Sequence, residues 1–352
     1  MEQIDVKNYK EFDNHERVIK VEDDNIGLKA YIAIHNSNLG PAIGGTRMYN
    51  YRTEKEAISD ALNLSKAMTY KCALSGIKQG GGKGIIIGDP KIDKTEELIR
   101  TYAKKIDELG GSFITGEDVG LSEEDVQVMF EESNYFVGKS GLAGDPSPFA
   151  AQSVFYCMQA AIEDYMRATS FDGVSVAVKG VGKVGSSLVD LLVKAGAKVA
   201  IADIDDAQID KILRRYSNIE VVHPKDIHRF NADIFAPCAL GGDINDKTVL
   251  ELKAKIICGG ANNQLAQPEV GDRLHKKGIL YVVDYVANAG GLINVVDELE
   301  EEGYSKERVM MRIQIIKDTI KNLIALSEDQ DIATSRFADM MAKCIFNKDS
   351  NA

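Results

Sequence analysis

The segment from Val174 to Asp203 limits what this chain can fold into more than any other stretch. It opens on the apolar run Val174-Ser175-Val176-Ala177-Val178-Lys179 and turns through Gly180-Val181-Gly182-Lys183-Val184-Gly185. A helical pattern follows to Gly196, and a second apolar run, Lys198 to Ala202, ends on Asp203. A lone G-x-G-x-x-G carries little weight. Here it leaves a strand, enters a helix and is followed by an acid at the end of the next strand, which together describe a dinucleotide-binding βαβ unit. The first glycine makes the tight turn, the second lets a pyrophosphate approach, and the third packs helix on strand. The helix N-terminus offers N–H groups to the phosphates, and the acid faces the ribose hydroxyls. A mere tight turn explains neither the three glycines nor Asp203. The cofactor-binding residues expected here are Gly180, Val181, Gly182, Lys183, Val184, Gly185 and Asp203. Asp203, Asp205 and Asp206 would repel a 2′-phosphate, which favours NAD over NADP.

A second stretch, Met68 to Asp118, carries two lysines and a carboxylate in unusual settings. Lys71 ends a helical pattern in Met68-Thr69-Tyr70-Lys71. Lys83 follows Gly80-Gly81-Gly82 and precedes an apolar strand, Gly84 to Ile87. Asp118 lies just past the apolar run Phe113 to Thr115. With 42 Lys and Arg in the chain, a solvated surface cation is the plain reading of any one lysine. The glycines before Lys83 instead let a ligand or another backbone approach closely. A phosphate-cradling loop is excluded, because Ile77 replaces its first glycine and Gly84 its hydroxyl. Desolvation and a second nearby cation both move a lysine toward a usable general base, with Lys71 as that second cation, free to pair with a substrate carboxylate.

These segments, together with Asn38-Leu39-Gly40-Pro41-Ala42-Ile43-Gly44-Gly45-Thr46-Arg47-Met48 and Glu117-Asp118-Val119-Gly120, resemble the leucine, phenylalanine, valine and tryptophan dehydrogenases of the glutamate dehydrogenase-like superfamily. The resemblance runs to Gly291 and so covers most of the chain. It implies an N-terminal α/β substrate domain and a Rossmann domain, with the active site in the cleft between them. It also implies reversible NAD-linked oxidative deamination of an apolar L-amino acid to its 2-oxo acid and ammonia. Lys71 would hold the substrate carboxylate, helped by the Gly44 and Gly45 N–H groups. A largely neutral Lys83 would activate water, and Asp118 would move protons at the amino nitrogen. Ala239, Asn262 and Asn288 resemble residues that contact the nicotinamide ribose or the substrate.

By the same match the side-chain pocket is Ile43, Met68, Gly116, Leu292 and Val295. Leucine-type enzymes resemble Ala and Val at positions 116 and 292, whereas aromatic types resemble the Gly and Leu found here. That favours Phe or Trp over Leu or Val, with a leucine dehydrogenase proper as the alternative. Glutamate is disfavoured, since Ile43 and Val295 offer its carboxylate no cation or hydroxyl. A relative acting on folate or malate would lack the paired lysines. A non-catalytic, NAD-sensing regulator would have lost Lys71, Lys83 or Asp118, and all three are intact. Two positions depart from the family: Ala150 stands where a threonine hydroxyl helps orient the nicotinamide amide, and Val283 replaces a proline.

Length and charge set the remaining expectations. A chain of 352 residues has room for two cores, and turn formers from Gly138 to Pro148 mark the join. The expected domains are residues 1–140 for substrate and oligomerisation, 141–330 for NAD, and a C-terminal segment, 331–352, returning toward the first. Further strands are expected at 219–222, 233–236, 256–258 and 279–282, and helices at 53–68, 95–109 and 305–326. The net charge of −12, with no local basic patch, excludes a nucleic-acid groove and an anionic membrane surface. No apolar run approaches a membrane span and no signal pattern opens the chain, so a cytoplasmic protein is expected. The five cysteines have no metal-ligand spacing and read as reduced thiols, and the five scattered histidines argue against a metal centre. The resemblance implies a homo-oligomer, and because leucine- and phenylalanine-type relatives that form large oligomers carry a longer tail than the few residues here after Ile345, a dimer is expected over an octamer.

Overall fold

Two sheets, each with its own helices, organise the chain in this computed structural model, which describes residues 1–348. One compact unit comprises Met1–Gly144, Val295–Tyr304 and the residues from Ala342 onward; the other comprises Asp145–Asn294 and Ser305–Met341. Of the C-terminal segment 331–352, residues 349–352 lie outside the described residues.

The first unit is built on a mixed seven-stranded sheet. Its strands are β1 (Glu2–Gln3), β2 (Arg17–Asp23), β3 (Leu28–Asn36), β4 (Ala42–Ile43), β5 (Thr46–Tyr49), β6 (Gly80–Ile87) and β7 (Phe113–Ile114). β6 is the hub, pairing antiparallel with β3 and parallel with both β4 and β5, while β7 joins β4. Alternation along β3 sorts the two cores. Ala30, Ile32 and Ile34 face a cluster with Leu98, Tyr102 and Ile106 of α2 (Glu96–Asp107) and Met129 of α3 (Glu123–Phe130). Tyr31 and Ala33 face the opposite cluster with Ala57, Ile58, Ala61 and Leu62 of α1 (Glu54–Leu74).

Two expectations need correction here. The strand expected from Gly84 starts at Gly80, so the glycine run lies within β6 itself. A Cβ at Gly81 would lie 2.1 Å from the Thr69 nitrogen, and one at Gly82 would lie 2.7 Å from the Phe113 ring. The glycines therefore admit protein, α1 on one face and β7 on the other. The helix begins at its expected Thr53 cap, whose hydroxyl accepts from the Glu56 N–H, but it continues past Met68 to Leu74. Thr69 and Tyr70 are weak helix formers, and the contact with Gly81 overrides their propensity.

The second unit holds a six-stranded, all-parallel sheet in the order β10-β9-β8-β11-β12-β13. The strands are β8 (Ser175–Lys179), β9 (Lys198–Ala202), β10 (Glu220–Val221), β11 (Ile234–Pro237), β12 (Ile256–Ile257) and β13 (Leu280–Tyr281). This is the doubly wound dinucleotide-binding order, with the switch point between β8 and β11. The helices that follow α3 in the chain are α4 (Ser147–Tyr165), α5 (Lys183–Lys194), α6 (Asp206–Arg215), α7 (Thr248–Glu251), α8 (Pro268–Lys276), α9 (Asp284–Ala287), α10 (Gly290–Val296), α11 (Lys306–Asp329) and α12 (Thr334–Lys348), of which α10 and α12 end in residues of the first unit. The stripe Val309, Ile313, Ile316, Ile320 and Leu323 of α11 is buried, and that helix packs along α4. Among the described residues no helix is long and apolar enough to cross a membrane.

Candidate active site

In the first unit, strand alternation aims the chemistry. Thr46 and Met48 turn to the α2 side, where the Thr46 hydroxyl bonds Tyr102 at 2.8 Å. Arg47, Lys83 and Ile85 turn to the α1 side. Lys83 is only 5% exposed, and its Nζ donates to Asp118 Oδ2. The other oxygen, Oδ1, accepts from the Val119 N–H at 2.6 Å and lies 3.7 Å from Arg47 Nη2. Burial pushes the Asp118 carboxyl upward, but Lys83 and then Arg47 outweigh it and hold the group below the ordinary carboxylate range. Lys83 and Asp118 thus sit together as a salt bridge.

The remaining residues of this half are placed by close approach. A Cβ at Gly44 would lie 1.9 Å from the Gly82 carbonyl oxygen and 3.2 Å from Met68 Cγ, and one at Gly45 would lie 2.9 Å from Asp118 Cβ. Gly44 is not available to a substrate carboxylate, because its N–H already donates to the Ile114 carbonyl at 3.2 Å and continues the sheet. Ile43 is buried in β4. Lys71 is half-buried in the last turn of α1, two residues past the contact with Gly81. Gly116 is buried, but a methyl there would meet the Val137 carbonyl oxygen at 2.7 Å. Its small size makes room for a backbone, not for a ring. Val295 belongs to this unit and is partly exposed. The sequence reading misses Arg47, because a single arginine on a strand resembles any surface cation.

In the second unit the glycine turn has the form expected. Gly180 has φ +94°, and a Cβ there would sit 2.8 Å from the Ala239 nitrogen, so the segment just past β11 is pressed against the turn. A Cβ at Gly185 would be 1.9 Å from the Gly180 carbonyl, which is the helix-on-strand contact. Gly182 differs: nothing lies within 4 Å of a Cβ there, and it caps α5 without any side-chain hydrogen bond. Open space over a helix N-terminus that no side chain caps fits a pyrophosphate. Asp203 accepts from the Val181 N–H at 2.7 Å and the Asp205 N–H at 2.9 Å, which fixes its carboxylate beside the turn. Val181 is buried, while Lys183 and Val184 open α5. Asn288 donates to Asn262 Oδ1 at 2.7 Å and to the Gly260 carbonyl at 3.2 Å. Ala150 is buried, and Leu292 is partly exposed on α10. These residues fit a nicotinamide dinucleotide.

Cys72 has no reactive character, since burial pushes its thiol up to about 12.

The family model described as Glu/Leu/Phe/Val dehydrogenase, dimerisation domain, matches residues 15–135. That described as Glutamate/Leucine/Phenylalanine/Valine dehydrogenase matches residues 205–345. The glycine turn falls between the two matches. Leucine dehydrogenase of Geobacillus stearothermophilus is 45% identical over 338 residues, covering 95% of this chain and 91% of that protein. Valine dehydrogenase of Streptomyces albus is 42% identical over 334 residues, covering 94% and 91%. The crystal structure of L-tryptophan dehydrogenase from Nostoc punctiforme aligns with a TM-score of 0.85 at 39% identity, covering 96% of this chain and 97% of that one. The chain belongs to the glutamate/leucine/phenylalanine/valine dehydrogenase family and is an amino acid dehydrogenase.

Proposed function

We propose that the protein catalyses NAD-dependent, reversible oxidative deamination of an apolar L-amino acid to its 2-oxo acid and ammonia. The pairing of buried Lys83 with half-buried Asp118 carries the reading. The nicotinamide ring, when bound, supplies the hydride acceptor for the substrate Cα. Lys71 pairs with the substrate carboxylate, with the Gly45 N–H beside it. With the substrate seated, Lys83 acts as the general base. Lys83 then takes a proton from the water that attacks the iminium carbon, and Asp118 passes protons to and from the departing nitrogen. Asp203, a fixed carboxylate at the end of β9, favours NAD over NADP.

Apolar Ile43 and Val295 support an apolar substrate side chain over a carboxylate. Within that class Gly116 no longer argues for an aromatic ring, because Val137 fills the space it leaves. Leu292 is the remaining support for Phe or Trp over Leu or Val. A homo-oligomer accords with the dimerisation-domain match over residues 15–135.

Lys83→Ala should lower kcat by about 10²–10⁴-fold, the usual worth of a general base, while the NAD dissociation constant stays within about twofold of wild type. Lys71→Ala should chiefly raise KM. Steady-state kinetics with an NAD titration on each variant decide, and a near-normal kcat in Lys83→Ala removes the assignment.

A further inference from the structure

Arg47 is held from two sides. Its Nη1 donates to Asp60 Oδ2 on α1 at 3.0 Å, and its Nη2 faces Asp118 Oδ1 at 3.7 Å. The Tyr51 hydroxyl donates to the same Asp60 oxygen, so Asp60 is itself fixed. The guanidinium Nε is buried with no hydrogen-bond partner, a cost that a surface arginine would escape by turning outward. Pairing of Arg47 with Ile85 across β5 and β6 sets the stem two residues from Lys83 on the shared strand. Asp118 therefore has a cation at each oxygen: Lys83 from β6 at Oδ2 and Arg47 from β5 at Oδ1.

We propose that Arg47 is a positioning residue for the deamination. It anchors the Asp118 carboxylate at Oδ1, so that Lys83 can leave Oδ2 for the substrate without the carboxylate turning or losing its charge. The inference rests on the function proposed above and adds a role for a residue that acts through Asp118. A single lysine could not do both jobs, because the moment it serves the substrate it ceases to hold Asp118. The planar fork of arginine suits the post, since one arm grips Asp60 while the other faces Asp118. The charged and titratable groups around Asp118 are Lys83, Arg47 and, behind Arg47, Asp60 and Tyr51; Glu117 precedes it in the chain.

The test compares charge-removing with charge-keeping variants of the full chain. Arg47→Met and Arg47→Gln take away a cation and should move the acid limb of the kcat/KM profile to higher pH. Activity at the foot of that limb, relative to the optimum, should fall about tenfold. Arg47→Lys keeps the charge but not the fork, so the limb should stay in place while the plateau drops. Asp60→Asn leaves the cation on Asp118 and should not raise the limb. A second readout needs no turnover: ¹³C NMR of the aspartate carboxyls, with Asp118 assigned through Asp118→Asn. In that experiment Asp118 should titrate at higher pH in Arg47→Gln than in wild type or Arg47→Lys. Equal losses in Arg47→Gln and Arg47→Lys, with unmoved profiles and unmoved Asp118 titration, would make Arg47 purely structural and overturn the inference. A moved titration in a protein that oxidises no apolar amino acid would instead leave the inference about Asp118 standing and remove the functional reading.

Discussion

At the scale of single residues, the same carboxylate chemistry serves opposite ends in the two units. Asp118 is half-buried against two cations, which hold its pKa down where burial alone would raise it. Asp203 is held by backbone N–H groups from Val181 and Asp205. That second arrangement shapes the test of cofactor choice. Asp203→Ala would remove the acceptor for Val181 as well as the charge, so a loss of binding would be ambiguous. Asp203→Asn keeps an acceptor and removes only the charge that would repel a 2′-phosphate. The ratio of kcat/KM for NAD over NADP should fall by at least about tenfold in Asp203→Asn, as expected when a like-charge clash is relieved. An unchanged ratio would mean that Asp203 does not face the ribose.

At the scale of elements, the glycines divide into those that admit protein and those that admit ligand. Gly81, Gly82 and Gly185 are each pressed by another part of the chain, whereas Gly182 faces open space at an ordinary φ of −65°. Gly182→Ala should therefore leave the melting temperature nearly unchanged and weaken NAD binding at least about tenfold, since the methyl enters pyrophosphate space. Gly185→Ala should destabilise the fold by about 1–3 kcal/mol, because its Cβ strikes the Gly180 carbonyl. Thermal melts and a binding titration on the two variants separate the cases. This division also marks how far the sequence could be read. The βαβ unit was legible because its turn, helix and acid depend on local chemistry, and β9 falls on the residues expected, Lys198–Ala202. The start of β6 was misplaced because the reason for the glycines in it, α1 resting on Gly81, is a contact between distant segments. Arg47 was missed for the same reason: Asp60 and Asp118, which give it meaning, lie 13 residues away for the first and beyond two further strands for the second. The Val137 carbonyl behind Gly116 was equally invisible.

At the scale of the whole molecule, one consequence concerns acid stability and another the reaction. His35 is buried in the first unit, its Nδ1 at 2.8 Å from the Thr69 hydroxyl and its ring edge-on to His15 at 4.7 Å. Burial, aided by His15, lowers its pKa to about 3 from the ordinary 6.5. The unfolded chain thus takes up a proton at this site below 6.5 that the folded chain refuses until about 3. Stability contributed by the neutral ring is whole above 6.5 and is lost as pH falls through that window. Urea unfolding at pH 7.5 and pH 5, at about those values, should show a drop in midpoint that His35→Gln reduces; an equal drop in the variant would place the acid sensitivity elsewhere. The reaction itself is tested by kcat/KM of the wild-type protein for Leu, Val, Phe, Trp and Glu, each with NAD. Apolar substrates should be graded among themselves, because one methyl in such a pocket is worth only about 1–3 kcal/mol. All the accepted ones should exceed Glu by at least about 10²-fold, since Ile43 and Val295 leave a side-chain carboxylate unpaired. Preference for Glu, or no NAD reduction with any of the five, would contradict the assignment.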